Sequence, residues 1–139
     1  MDGKKFLIDG DSILKALLIK PGFAPDLLHQ SYILETCYIE IGESLLRRSA
    51  LEESEDEKNR IVSIGDNLSK ILTNMDHLAL SWEDYKTMIN IGIYKKLNFV
   101  DVVYIWTAKK HNLILIREND SLIKIGEELD LTIKTVDNL

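Results

Sequence analysis

Four short stretches carry side chains that could do chemistry: Asp9-Gly10-Asp11-Ser12, Glu40, Asp101 and Glu118-Asn119-Asp120. All offer oxygen. Carboxylates gathered in one pocket repel each other, and a divalent cation relieves that repulsion. Ligation by oxygen alone selects Mg²⁺ or Mn²⁺, whereas zinc would require histidine or cysteine. Such an ion beside a phosphodiester polarises the phosphate and lowers the pKa of a bound water, so the reaction class is metal-assisted phosphodiester hydrolysis. Other devices are missing. The 7 glycines are too scattered for a phosphate loop, and no nucleophile elbow or Cys-His pairing is visible. His29, His77 and His111 fall in different elements.

Each acid also has a plainer reading. Asp9-Gly10-Asp11-Ser12 can be a turn whose Asp or Ser caps the next helix. Asp101 sits three residues after Asn98, where a helix dipole favours an acid, although its helix is apolar almost all round and a carboxylate there needs compensation. Glu40 borders an apolar stripe, a position usual for a solvated glutamate.

The elements that would position these groups read as follows. Phe6-Leu7-Ile8 is a short buried strand ending in the Asp9 turn, with a helix from Ser12 to Ile19 broken by Pro21-Gly22 and Pro25. Leu34, Cys37, Ile41 and Leu45 recur at helical steps and predict a helix from Ser31 to Arg48. Five acidic residues in the six positions Glu52 to Glu57 form a solvated connection or the first turn of the next helix, whose apolar face runs from Ile61 to Met75. Ser81 with Asp84 resembles a capping box for a helix ending near Lys96, and Asn98 caps another from Phe99 to Lys110. Leu113 to Ile116 is a strand, Ser121 to Glu128 a helix, and Leu131 to Val136 a last strand. Short buried strands separated by helices predict an α/β fold: one domain over residues 1–139, with a short parallel sheet covered by helices on both faces.

Composition bounds the partners. The chain is 45% hydrophobic and 29% charged, which suits a globular domain, and its 17 basic against 23 acidic residues give a net charge of −6. An acidic chain meets nucleic acid only through a local basic patch or bound cations. The single cysteine, Cys37, excludes an internal disulfide and suits a reducing compartment, with the cytoplasm as the expected setting. No apolar run approaches the roughly 20 residues of a membrane helix, so no membrane partner is expected.

At these residues the chain also resembles the PIN-domain family, and especially the small archaeal and bacterial VapC-type toxin ribonucleases. Phe6 to Leu14 is similar to the family's opening strand with its first aspartate, and Tyr38-Ile39-Glu40-Ile41-Gly42-Glu43 to its Glu-Ile-Gly-Asn stretch. Phe99 to Lys110 resembles the helix of the third acid, and Leu113 to Asp120 the strand and turn of the fourth. The likeness covers nearly the whole chain in order. Two departures stand out: Arg117-Glu118-Asn119 occupies the place of the usual Thr-x-Asp, and Glu43 stands where Asn is typical.

The resemblance implies a Mg²⁺- or Mn²⁺-dependent endoribonuclease with Asp9, Glu40, Asp101 and Asn119 as catalytic residues. Asp9 and Asp101 would hold the metal, and Asp120, or Glu118, would supply the charge that Asn119 lacks. Lys109, Lys110 and Arg117 are the expected RNA contacts, with Lys95-Lys96 and Arg47-Arg48 as further candidates. It further implies a homodimer and an antitoxin partner. The rival readings are a catalytically silent PIN-like domain that binds RNA or protein, and a haloacid-dehalogenase-type phosphatase built on Asp9-Gly10-Asp11, although Ile13 departs from that motif.

Overall fold

The computed structural model describes residues 3–139. Five strands, β1 (Phe6–Ile8), β2 (Ser31–Ile33), β3 (Asp76–His77), β4 (Ile114–Ile116) and β5 (Ile133–Lys134), form one sheet in the order β3-β2-β1-β4-β5. Every neighbouring pair is parallel, with Leu7 opposite Tyr32 on one side and Leu115 on the other. The expected α/β class with a parallel sheet is therefore what the chain forms.

Among the described residues seven helices connect and cover the sheet: α1 (Gly10–Ile19), α2 (Ala24–His29), α3 (Thr36–Ser49), α4 (Glu55–Thr73), α5 (Tyr85–Lys95), α6 (Phe99–Lys110) and α7 (Ser121–Glu128). Side chains alternate across a strand. Leu7, Leu115 and Ile133 accordingly share one core with Val102, Ile105 and Leu122 of α6 and α7. Ile8, Ile33 and Ile116 face the other way, into a core with Ile13, Cys37, Ile41 and Leu72 of α1, α3 and α4. No helix among the described residues is long and apolar enough to cross a membrane.

The chain runs from β1 outward to β3, then returns past β1 to β4 and β5. The switch of direction lies between β1 and β4, and open α/β sheets bind ligands beyond the carboxyl ends of the strands at such a point. Asp9 follows β1 there, and Arg117 follows β4.

Several boundaries differ from the sequence reading. Ser31 to Ile33 is a strand, because parallel pairing with Phe6 and Leu7 captures these residues, and the helix begins only at Thr36. α1 ends at Ile19 as expected, but a further short helix follows, with Pro25 in the first turn of α2, where a missing N–H costs nothing. The Ser81–Asp84 capping box does not form: Ser81 Oγ bonds Glu83, while the Asp84 carboxylate accepts from Trp106 Nε1 and Lys110 Nζ. The last strand is shortened to Ile133–Lys134, with a 3₁₀ turn following at Val136–Asn138. α1 starts at Gly10 because Asp9, not Ser12, is its cap.

Candidate functional site

Asp9 ends β1 and caps α1, its Oδ1 accepting the Ser12 N–H at 2.8 Å. A carboxylate at that place is fixed in direction by the helix it caps. Asp101 lies in the first turn of α6, after the Asn98 side chain has capped it by accepting the Asp101 N–H at 2.9 Å. Glu40 comes from the second turn of α3, which packs tightly on α1 at Gly10. A Cβ at Gly10 would stand 2.9 Å from the Glu40 Cβ and 3.0 Å from the Cys37 carbonyl oxygen, so only glycine admits this approach.

The three acids from three elements thus converge, and between them lies Arg117. Its Nε donates to Asp101 Oδ1 at 2.7 Å, and its Nη1 donates to both Asp9 Oδ2 and Glu40 Oε2 at 3.0 Å. The guanidinium carbon stands 4.6 Å from the centre of the Tyr104 ring. The Tyr104 hydroxyl in turn donates to Glu40 Oε1 and accepts from Thr36 Oγ1 at 2.9 Å. The Arg117 side chain is only 12% exposed, and those of Asp9 and Asp101 are 3% and 7%.

The electrostatics follow. Burial pushes the Asp9 carboxyl up to about 7, with the Ser12 hydrogen bond and Arg117 only partly opposing it and Glu40 reinforcing it. At Arg117 burial opposes the charged form, but attraction to Asp9, the bond to Asp101 and attraction to Glu40 outweigh it and raise the guanidinium above its ordinary value. Burial raises the Tyr104 phenol, aided by Cys37 and Glu40, so it stays a neutral donor. Burial likewise pushes the Cys37 thiol up to about 12. It packs inside, with Sγ against the Ile8 carbonyl at 3.3 Å, and offers no nucleophile.

The remaining candidates lie elsewhere. Asn119 Oδ1 accepts from Ser121 Oγ at 2.6 Å and from the Ser121 N–H at 3.2 Å, a local turn that uses the oxygen expected at the metal. Asp120 is exposed at the start of α7. Glu118 turns away to Lys15 Nζ, at 3.2 Å, and to the Val136 N–H, at 2.7 Å. Asp11 is exposed and takes no part in the ion pairs that join Asp9, Glu40 and Asp101 to Arg117, unlike the paired aspartates of the phosphatase reading.

Of the expected RNA contacts, Lys109 Nζ bonds the Leu129 carbonyl and Lys110 pairs with Asp84 at 2.7 Å. Both sit in the last turn of α6, about 13 Å along its axis from Asp101. Arg117, read from sequence as a phosphate contact, points inward to the acids instead. Sequence reasoning assigned no role to Tyr104. The signal available was a tyrosine one turn after Asp101 in an apolar helix, where its hydroxyl would need a partner.

These residues do not fit a resident metal ion. Every carboxylate of the cluster already accepts a hydrogen bond, and the guanidinium fills the space on which they converge. Among the described residues no buried side-chain oxygen or nitrogen lacks a partner, and no three acidic, histidine or cysteine side chains are arranged to hold a metal.

Comparison with known proteins bears on the fold. No family model matches the chain, and no curated protein matches it in sequence. Among solved structures, PAE2754 from Pyrobaculum aerophilum superposes with a TM-score of 0.71 at 18% identity, covering 86% of this chain and 84% of that one. A chain of a toxin-antitoxin complex from Klebsiella pneumoniae superposes with a TM-score of 0.55 at 19% identity, covering 83% of this chain and 87% of its own. At such identities the likeness is one of fold, and it is consistent with the PIN-like architecture expected from the sequence.

Proposed function

We propose that this chain is a toxin-like PIN-type domain that works by binding a protein partner, with its acidic centre closed and not used for metal-dependent cleavage. The observation that carries the reading is the guanidinium of Arg117, paired with Asp9, Glu40 and Asp101 at 2.7 to 3.0 Å. Three carboxylates against one guanidinium leave the centre with an acidic excess, so an RNA phosphate would be repelled from it. A protein partner is supported by the fold shared with a chain of a toxin-antitoxin complex and by an exposed apolar face on α5. There Tyr85, Ile89 and Ile93 repeat at helical spacing beside exposed Trp82 and Val100. An antitoxin-like chain, a homodimer and a cytoplasmic setting belong to this proposal.

The second reading is the Mg²⁺- or Mn²⁺-dependent ribonuclease, favoured by the convergence of Asp9, Glu40 and Asp101 from three separate elements. One experiment separates the two: incubation of the purified chain with a mixed RNA pool, with Mn²⁺, with Mg²⁺ and with chelator. The binding reading predicts no cleavage above that of the Asp101→Asn variant. Metal-dependent cleavage that Asp101→Asn removes would establish the ribonuclease instead.

A further inference from the structure

We propose that Arg117 is the permanent counter-ion of this acidic centre, filling the place of a cation, and that a neutral side chain at 117 uncovers a divalent-cation site made of Asp9, Glu40 and Asp101. The inference rests on the reading of the centre as closed by Arg117 and adds what the three acids become once that charge is removed. One nitrogen, Nη1, is shared by Asp9 and Glu40, and the adjacent Nε takes Asp101, so the three acceptor oxygens surround a single small planar group.

Taking that group away leaves acids with very little solvent to screen them. Asp9 and Asp101 are both buried, and Glu40 is mostly so. Their repulsion would then be relieved either by a proton or by a small ion bearing two charges, and the ion can serve all three oxygens at once. Because the donors are all oxygen, the ion is a hard one of the Mg²⁺ or Mn²⁺ class.

Arg117 is also built in rather than resting on the site. Its backbone follows β4 directly, with its N–H bonded to the Lys134 carbonyl at 3.0 Å. Its guanidinium lies over the Tyr104 ring, and Tyr104 is itself fully buried. The charge is therefore delivered by the sheet, at the edge where the strand order reverses. Arginine suits this place because its planar fork is always charged and can donate to several carboxylates at once.

The test uses the full chain as wild type, Arg117→Ala, Arg117→Gln, and Arg117→Ala combined with Asp101→Asn. Mn²⁺ affinity is read from the electron paramagnetic resonance signal of the free aquo ion, and thermal melts are run in chelator and in Mn²⁺. Arg117→Ala should bind Mn²⁺ at least about tenfold more tightly than wild type. It should also melt below wild type in chelator and recover on adding Mn²⁺. The double variant should lose that gain.

Where Arg117→Ala does not fold in chelator, folding on addition of Mn²⁺ supports the proposal, and Arg117→Gln supplies the affinity. The proposal is overturned if neither single variant gains affinity over wild type, if wild type binds as tightly as they do, or if the double variant keeps the gain. No RNA or partner enters these measurements. Failure of the binding reading shows separately, as cleavage by the intact protein.

Discussion

The guanidinium of Arg117 lies over the ring of Tyr104, 4.6 Å from its centre, while the Tyr104 hydroxyl donates to the Glu40 carboxylate that the same guanidinium pairs with. One residue thus supports Arg117 twice, by its face and through a shared partner. The two contributions are separable. Tyr104→Phe keeps the ring and removes the donor to Glu40, along with the acceptor for Thr36, and should cost about 1–3 kcal/mol in a chemical denaturation curve. Tyr104→Ala removes the ring as well and should cost about 3–5 kcal/mol. Equal losses from both would show that the ring carries no weight.

Asp9 gives a pH dependence with a definite sign. Its folded-state value of about 7 lies above the ordinary 3.8, so the folded protein holds the proton more tightly than the unfolded chain. The contribution of this group to stability is fully present below the unfolded value and is lost as pH rises through about 7. Asp9→Asn cannot titrate. In melts from pH 5 to pH 8 the wild type should therefore lose stability relative to Asp9→Asn, with the difference levelling off above neutral pH. A pH-independent offset between the two is expected too, since the amide presents an N–H₂ or a carbonyl to Arg117 in place of a charge. A flat difference across the range, or one of the opposite slope, contradicts the burial of a carboxyl at this position.

How much of this was legible in the sequence depended on whether the signal was local. The Asn98 cap and the ends of α6 and α7 matched closely, because an Asn before an apolar run and a Ser opening a short periodic segment are nearest-neighbour cues. Asp9 and Asp101 were legible from strand-end position and from an acid in an apolar helix, Glu40 was singled out by the family resemblance, and the Glu118-Asn119-Asp120 turn expected in the same pocket does not join it. β2 was read as helix because Ser31-Tyr32-Ile33 has no strand alternation long enough to compete with the helical stripe beginning at Leu34; only pairing with β1 selects it. β3 comprises just Asp76 and His77, both exposed, with no apolar pattern at all. The inward turn of Arg117 was illegible for a different reason. A basic residue after a strand usually faces solvent, and what draws this one inside is the sum of three carboxylates distant in sequence.

Gly10 tests the packing that brings Glu40 to the cluster. The Cβ of Gly10→Ala would meet backbone at Cys37 and side-chain carbon at Glu40 and Ile41, so α3 must move away from α1. The substitution should destabilise by about 1–3 kcal/mol. Ala at Gly42, where an added Cβ meets nothing, is the control and should leave the denaturation midpoint no lower than that of wild type. A Gly10→Ala protein as stable as the control would mean that α1 and α3 are not held this closely.

In the intact protein the proposed counter-ion of the acidic centre is Arg117 and not a metal. The most direct measurement is paramagnetic broadening of backbone amide resonances by Mn²⁺ in the wild-type chain. With Arg117 seated on its three carboxylates, the amides of Gly10, Glu40, Asp101 and Arg117 should broaden no more than those of exposed acidic stretches such as Glu52 to Glu57. Selective loss of the resonances around Asp9, Glu40 and Asp101 at low Mn²⁺ would show a cation entering the centre past Arg117, and would contradict the account.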